Sequence, residues 1–223
     1  MKRILVIAAV AAACGGSSGT AVDHNRAGSG SSTLLVTGTV TVTVSATAPL
    51  TSFSVTVKDG LGANVSGATV TVHNSAYGDV ALTEAQTGSG VYTDSKTSYP
   101  SGDLSLSVVN GADKVQGVVV GYPGTHAINA PAGGSTVAAN ALLHVSWTTP
   151  TVAKAATISL GSGGFSAQAA DTGAYDVPAG SNPARTGQRV TIVRSNEVDV
   201  GGGLPGSSMK VKVSLRGDTF TTQ

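Results

Sequence analysis

The sequence predicts an all-β protein in which two β-sandwich domains follow one another in tandem, after a signal peptide and a flexible tether. Short runs of alternating apolar and polar residues recur from Leu34 onward, with turn-forming residues between them. No stretch combines a 3.6-residue apolar repeat with helix caps. Only 11% of the residues are charged. That composition, rich in Thr, Ser, Val, Ala and Gly, is typical of small secreted β-sandwiches.

Residues 1–13 have the pattern of a secretory signal peptide. Lys2 and Arg3 give a positive start, and the apolar run ILVIAAVAAA follows them. This run is about half as long as the roughly 20 residues that a transmembrane helix needs. We therefore expect the segment to be removed and not to span a membrane.

Cys14, the only cysteine of the chain, is the predicted lipidation site. The sequence Ala12-Ala13-Cys14-Gly15 resembles the bacterial lipobox, in which the thiol receives diacylglycerol, although Ala11 stands where Leu is usual. The resemblance implies a membrane anchor on Cys14 and, because Asp does not follow the cysteine, an outer-membrane location. The alternative is that the three alanines form an ordinary signal-peptidase site and Cys14 is a spectator thiol.

Residues 14–32 are predicted to be a Gly/Ser-rich tether because they lack hydrophobic periodicity. The whole chain carries 13 basic and 12 acidic side chains, so loss of Lys2 and Arg3 with the signal peptide leaves a net charge of about −1. The remaining basic residues are dispersed, whereas phosphate binding relies on clustered Lys and Arg. Nucleic acid is therefore not an expected partner.

A first β-sandwich domain is predicted over residues 33–131. In the run VTGTVTVTV (36–44), valines alternate with threonines, as a half-buried strand requires. Gly, Asn, Asp and Pro between the runs supply turns. The same alternation predicts these inward-facing residues: Val40, Val42, Val44, Phe53, Val55, Val57, Val70, Val72, Leu104, Leu106 and Val108.

A linker over 132–140 and a second β-sandwich domain over 141–223 are predicted to follow. The second domain is short, so it can bury only a modest core and is expected to lean on its neighbour. Its inward-facing residues are predicted to be Leu143, Val145, Trp147, Met209, Val211, Val213 and Leu215.

The stretches FSVTVKDGLGANVSGATVTVHN (53–74), TGSGVY (87–92), SGDLSLSVV (101–109) and GYPG (121–124) resemble carboxypeptidase-regulatory-like and bacterial immunoglobulin-like domains. The resemblance implies an immunoglobulin-like sandwich that serves as a non-catalytic stalk, spacer or adhesion module. The second domain resembles a fibronectin-III-type sandwich through Trp147 and its order of strands. Tyr92 is expected to bury its ring and bond its hydroxyl to backbone, as tyrosine-corner residues do.

The glycine string GGGLPG (201–206) satisfies the pattern G-x-G-x-x-G, but a strand-like run follows where a dinucleotide site needs a helix. We interpret it as a hairpin loop. Metalloprotease and Gly-Lys-Ser/Thr phosphate-loop motifs do not occur in the sequence. We therefore expect no catalytic residue and no cofactor.

Histidine and aspartate spacing argues against a metal site. Zinc needs closely placed ligands, but the four histidines are widely spaced: His24, His73, His126 and His144. Ca²⁺ takes six to eight oxygen ligands, and no run concentrates the aspartates in predicted loops. These are expected to cap turns: Asp59, Asp94, Asp103 and Asp113.

Few aromatic residues are available for ligand binding. Tyr77, Tyr99 and Tyr122, in predicted loops, are the candidate contacts, and packing over strand ends is their alternative role. The expected function is that of a non-enzymatic, lipid-anchored envelope protein, a structural or protein-binding module with an unknown protein partner. The alternatives are a glycan- or metal-ion-binding surface lipoprotein and an unrecognised hydrolase. Open strand edges offer a further way to pair with another chain.

Overall fold

The computed structural model describes residues 24–45, 47–151, 153–161 and 164–223. The prediction of an all-β fold is confirmed, because every regular element within these ranges is a strand. None of these residues forms an apolar helix long enough to cross a membrane. The strands are β1 (Ser29–Gly30), β2 (Leu35–Val44), β3 (Leu50–Lys58), β4 (Thr69–Asn74), β5 (Gly78–Glu84), β6 (Val91–Lys96), β7 (Leu104–Asn110), β8 (Asp113–Val120), β9 (Ile128–Ala130), β10 (Thr136–Val137), β11 (Leu143–Trp147), β12 (Ala155–Leu160), β13 (Ser166–Ala169), β14 (Ala174–Val177), β15 (Arg185–Gln188), β16 (Val190–Asp199), β17 (Ser208–Arg216) and β18 (Phe220–Thr222).

The largest sheet folds over itself into a sandwich. Its strands follow the order β1-β8-β7-β4-β5-β6-β3-β2-β17-β16-β12-β13. Strand β5 crosses from one layer of the sandwich to the other. Its first part pairs with β4, and its last two residues, Thr83 and Glu84, pair with β6. Apolar side chains from both layers meet in a first core. The predicted inward residues of the first domain lie there: Val40, Val42, Phe53, Val55, Val57, Val70, Val72, Leu104, Leu106 and Val108 are buried, and Val44 packs against them.

Two small sheets, β10-β18-β15 and β14-β11-β9, enclose a second core together with the β16-β12-β13 end of the large sheet. Alternation again decides which side chains are buried. The predicted inward residues of β11 are all in this core. Its buried members are Leu143, Val145, Trp147, Ala156, Ile158, Leu160, Val177, Val190, Ile192 and Phe220.

Strand β17 joins the two halves of the chain. It pairs in parallel with β2, from Ser208 opposite Thr37 to Leu215 opposite Val44, and in antiparallel fashion with β16. Of its predicted inward residues, Met209, Val211 and Val213 are buried in the first core, whereas Leu215 is half-buried. A strand from the end of the sequence thus completes the sandwich that begins at residue 34.

The two cores do not divide at residue 131. Ile128 packs against the second core, and three residues of β17 belong to the first. The predicted linker contains β10, which pairs in parallel with β18. The division into domains over 33–131 and 141–223 stays a prediction.

Residues 26–32, the last part of the predicted tether, are paired with the rest of the protein. Arg26 and Val119 exchange two backbone hydrogen bonds of 2.8 Å, and β1 pairs with β8. Without this segment β8 would be an open sheet edge. Residues 26–32 therefore take a defined position on the edge of β8, although their sequence has no hydrophobic periodicity.

The glycine string lies in the loop between β16 and β17, which confirms its interpretation as a hairpin loop. The loop also packs closely against β1, because a Cβ on Gly202 would overlap the backbone of Ser29 and Gly30. Gly202 has a φ of +76°, which L side chains rarely adopt. Glycine is therefore required here for both the turn and the close approach.

The expectation for Tyr92 is confirmed. Its ring is buried in the first core. Its hydroxyl donates to the carbonyl of Val65 at 2.8 Å and accepts from the amide of Ala68 at 2.9 Å. Tyr92 thereby fastens the loop before β4 to β6.

Candidate functional site: a groove at the junction of the two cores

Two buried polar residues of β16 lie between the two cores. Val190 and Ile192 face the second core, whereas Val198 packs against the first. The inward positions between them are Arg194 and Asn196, and both are buried. The two-residue period of a strand therefore places two polar side chains inside the protein.

Arg194 is completely buried and joins separate segments of the chain. Its Nε and Nη2 atoms donate to the carboxylate of Asp171 at 2.6 to 3.0 Å. Nη1 donates to the carbonyl of Pro123 at 2.7 Å, and Nη2 also donates to the carbonyl of Thr151. The planar guanidinium with its five donors suits such a junction. It ties β16 to the segment before β9 and to the loops on either side of β12 and β13.

Asp171 completes this network. The Nε1 of Trp147 donates to its Oδ1, and the amide of Ala153 donates to its Oδ2, each at 2.8 Å. Burial raises the pKa of Asp171, but the hydrogen bonds from Arg194, Trp147 and Ala153 outweigh burial, so the pKa lies below its usual value. Both side chains of the ion pair are enclosed. The pair therefore joins segments inside the protein and is not exposed at its surface.

His126 lies beside this network and is 5% exposed. Neither ring nitrogen makes a well-formed hydrogen bond with the described residues, although the Ile192 backbone is close. Burial, reinforced by the charge of Arg194, lowers the pKa of His126 to about 4. The imidazole is therefore neutral at pH 7.

The structure brings the three candidate contact tyrosines together against the first core. The hydroxyl of Tyr77 donates to the Ser98 carbonyl at 2.7 Å, and that of Tyr99 donates to the Ser45 carbonyl at 2.8 Å. The Tyr122 hydroxyl is buried and lacks a partner within the described ranges. Burial raises the pKa of Tyr122, and the neighbouring Tyr77 and Tyr99 raise it further. The rings pack over the end of the core, and a role in ligand contact stays a prediction.

A groove of about 620 Å³ opens beside Tyr99, between the two cores. Four consecutive residues, 125–128, form one wall and lead into β9. The ends of β2 and β17 and the loop before β3 form the rest. Val44, Pro49, Ile128 and Leu215 give the groove apolar surface. Arg216 and Asp218 add two exposed charges of opposite sign.

Sequence reasoning missed both Arg194 and the groove. A signal for Arg194 exists, because it shares a strand face with Val190, Ile192 and Val198 and so falls at an inward position. The groove has no local signal, because its walls come from segments that are far apart in the sequence.

The other three histidines are exposed, and each pairs through Nδ1 with an aspartate. His73 and His144 lie on the polar faces of their strands, as predicted. No group of three or more His, Cys, Asp or Glu that could hold a metal ion occurs within the part of the chain that the structure describes. The pairs are His24–Asp103 at 3.0 Å, His73–Asp79 at 2.7 Å and His144–Asp176 at 2.8 Å.

The predictions that Asp94 and Asp113 lie in loops are wrong, since Asp113 is the first residue of β8 and pairs with Asn110. Asp94 is within β6, which pairs with β3 along its whole length. Lys96 Nζ donates to its carboxylate at 2.9 Å, and this bond lowers the pKa of Asp94. Asp59 caps a turn as predicted, since its Oδ1 accepts from the amides of Leu61 and Ala63, each at 2.9 Å. Cys14 lies outside the described residues, so its lipidation stays a prediction.

No protein-family profile and no curated protein matches the chain. Among solved structures, the chain is similar to the adhesin InvE of Yersinia pseudotuberculosis, with 14% identity and a TM-score of 0.28 over 82% of this chain. It spans 60% of the adhesin. It is also similar to fibronectin(III)-like modules of Clostridium thermocellum CbhA, with 14% identity, a TM-score of 0.27 and coverage of 83% and 94% of the two chains. The sandwich architecture itself rests on the strand pairing and the two cores described above.

Proposed function

We propose that this chain is a lipid-anchored protein of the bacterial outer membrane that acts, without catalysing a reaction, as a structural or protein-binding module. The observation that supports the module role is the joining of the two cores by the β2, β17 and β16 ladder and by the buried Arg194. A scaffold braced in this way holds its loops in fixed positions, as a recognition surface requires.

The anchor on Cys14 is the second part of the proposal. Its support is the sequence of residues 1–15, in which a positive start, a short apolar run and three alanines precede the cysteine. An anchor of this kind raises the local concentration of a binding module at the membrane surface.

The anchor is tested by expressing the full chain in a Gram-negative host, with Cys14→Ser as the variant and Ser17→Ala as the matched control. We expect wild type and Ser17→Ala to carry the mass of diacylglycerol and to partition into outer membranes. Cys14→Ser should carry no lipid and remain outside that fraction. An unacylated wild type that behaves like Cys14→Ser contradicts the anchor.

The module role is tested by chemical crosslinking of intact cells that express the chain, followed by its denaturing purification. We expect the same envelope protein to be crosslinked in independent preparations and to be absent from preparations of an unrelated lipoprotein. A chain that crosslinks to no specific protein contradicts the role of protein-binding module.

A further inference from the structure

We infer that this chain assembles head to tail with further copies of itself, the loop between β3 and β4 of one copy inserting Leu61 into the groove beside Tyr99 of the next. The inference goes beyond the proposed function. It depends neither on the lipid anchor nor on the identity of the partner protein.

Leu61 is an exposed apolar side chain on a fixed loop. It is 96% exposed, more than any other leucine of the described residues. Oδ1 of Asp59 accepts from the amides of Leu61 and Ala63 at 2.9 Å, and the Gly62 amide donates to the Asp59 carbonyl at 3.0 Å. A loop held in this way loses little conformational entropy when it binds. Residues 59–63, which we call the leucine loop, therefore form a contact surface before any partner arrives.

The tip of the leucine loop is narrow and apolar. Gly60 and Gly62, on either side of Leu61, have no side chain that would block its entry into a groove. Leu204 lies beside the loop, since a Cβ on Gly60 would meet its Cδ1 at 3.9 Å, and the exposed Pro205 follows it. Exposed apolar surface of this kind marks sites of interaction.

The groove supplies apolar surface to receive this tip. Val44, Pro49 and Leu215 line it. Its volume of about 620 Å³ lies within the roughly 300–1,000 Å³ range of binding sites, so it has room for the Leu61 side chain and the glycine backbone beside it. Moving Leu61 from water into the groove is favoured by the hydrophobic effect.

The charges of the two surfaces are complementary. Lys58 and Asp59 lie at the start of the leucine loop, whereas Arg216 and Asp218 line the groove. None of these four takes part in an ion pair among the described residues. Lys58 of one copy can therefore pair with Asp218 of the next. The Asp59 carboxylate can pair with Arg216 in the same way, so both charges of the groove find a counter-charge.

The two surfaces lie at opposite ends of the first sandwich. The leucine loop follows Lys58, which pairs with Leu35 at the start of β2. The groove contains Val44, at the end of β2. The ten residues of β2 span about 30 Å, so the leucine loop does not reach the groove of its own molecule. A contact between two different surfaces repeats from copy to copy, and it forms a ring or a filament.

The test is the crosslinking of introduced cysteines by a flexible bismaleimide in cells that express the full chain. Gly60→Cys puts a thiol beside Leu61, and Ala127→Cys puts one at an exposed position of the groove. In the matched control, Ala81→Cys at an exposed position of β5 replaces Gly60→Cys. Wild type, with Cys14 as its only cysteine, gives the background.

We expect the variant with both Gly60→Cys and Ala127→Cys to give a ladder of dimers, trimers and longer species on a denaturing gel. Each single variant should remain monomeric, and the two expressed together should give one dimer that contains one chain of each. The control with Ala81→Cys should give no ladder. A double variant that remains monomeric overturns the inference. A dimer of Gly60→Cys alone also overturns it, because the leucine loops would then pair with each other.

The role of Leu61 is tested within the crosslinking double variant. Leu61→Ser removes the apolar contact and should reduce the yield of the ladder about tenfold. Leu142→Ser, at a leucine that is 62% exposed and does not line the groove, should leave the yield unchanged. A full ladder in Leu61→Ser contradicts the insertion of Leu61.

The charge pairing is tested by exchanging the two signs. Lys58→Glu should reduce the yield about tenfold, and so should Asp218→Lys, because each places like charges together. The two changes combined should restore the ladder. A combined variant that crosslinks no better than either single change contradicts the pairing of Lys58 with Asp218.

The same crosslinking in Cys14→Ser separates this inference from the anchor proposal. A ladder in both backgrounds supports docking that needs no lipid. A ladder that requires Cys14 overturns the inference, because it would come from that thiol or from its lipid. The absence of a ladder from both backgrounds also overturns it, and the mass of the lipidated chain then still decides the anchor.

Discussion

Arg194 places a permanent charge inside the protein, and its stabilising effect depends on Asp171. The Arg194→Met variant keeps the length of the side chain but leaves the Asp171 carboxylate buried without its counter-charge. Removing one partner of a buried ion pair costs about 3–5 kcal/mol. We expect the free energy of unfolding, measured by urea denaturation at pH 7, to fall by that amount.

The exposed Arg185 provides the control for this prediction. Arg185→Met removes the same charge at the surface and should change the free energy of unfolding by less than about 0.5 kcal/mol. Adding Asp171→Asn to Arg194→Met removes the stranded charge and should recover part of the loss. A loss for Arg194→Met no larger than that for Arg185→Met would mean that the ion pair does not brace the junction.

His126 makes the stability of the protein sensitive to mild acid. Its folded-state pKa is about 4, below the ordinary 6.5, so between these values the unfolded chain binds the proton more readily. The stability that this residue contributes is therefore complete above pH 6.5 and is lost as the pH falls toward 4. The loss amounts to about 3 kcal/mol.

Urea denaturation at a series of pH values between 7 and 4 measures this loss. His126→Gln removes the titrating group, so we expect its free energy of unfolding to change much less across the window than that of wild type. His73→Gln, at an exposed histidine, should retain the wild-type slope. A wild-type slope in His126→Gln would assign the acid sensitivity to another group.

At the scale of single elements, the short strand β1 depends on the glycine loop. Gly202→Ala places a methyl group where the backbone of Gly30 lies, and it does so at a φ of +76°. The variant must therefore displace β1 from the edge of β8. We expect faster hydrogen exchange of the Val119 amide, which donates to the Arg26 carbonyl, together with a lower free energy of unfolding.

Gly62→Ala is the matched control. Gly62 has a φ of +83°, but a Cβ there meets no atom within 4 Å. This variant carries only the conformational cost of a left-handed backbone, about 1–2 kcal/mol, and should leave the exchange of Val119 unchanged. If Gly202→Ala behaves like Gly62→Ala in both measurements, the close contact between Gly202 and β1 does not hold β1 on the edge of β8.

The sequence predicted the longer strands because their signal is local. In β2, β11 and β17 the alternation of residue types alone decides which side chains are buried. The two-residue strands β1 and β10 could not be predicted in this way, because each exists only through its partner, β8 or β18. Asp94 was misplaced because polar residues dominate the second half of β6, where pairing with β3 outweighs composition.

At the scale of the whole molecule, the unpredicted feature is the parallel pairing of β2 with β17. These two strands are separated by most of the chain. Parallel strands need a long connection between them, so no local sequence pattern identifies which strand pairs with β2. The groove arises from the same pairing, because it lies where the ends of β2 and β17 meet the segment before β9. Sequence analysis named Tyr99 as a candidate contact, but it could not show that Tyr99 shares a groove with the ends of β2 and β17.

The shared strands predict that the two cores unfold together. Leu106→Ala, deep in the first core, should cost about 2–5 kcal/mol, and β16 and β17 should transmit this loss to the second core. Trp147, the only tryptophan, lies in the second core, so its fluorescence reports on that core alone. We expect the urea midpoint from Trp147 fluorescence to fall with the midpoint from far-ultraviolet circular dichroism. A fluorescence midpoint that keeps its wild-type value would instead mean that the second core unfolds independently, as two tandem domains do.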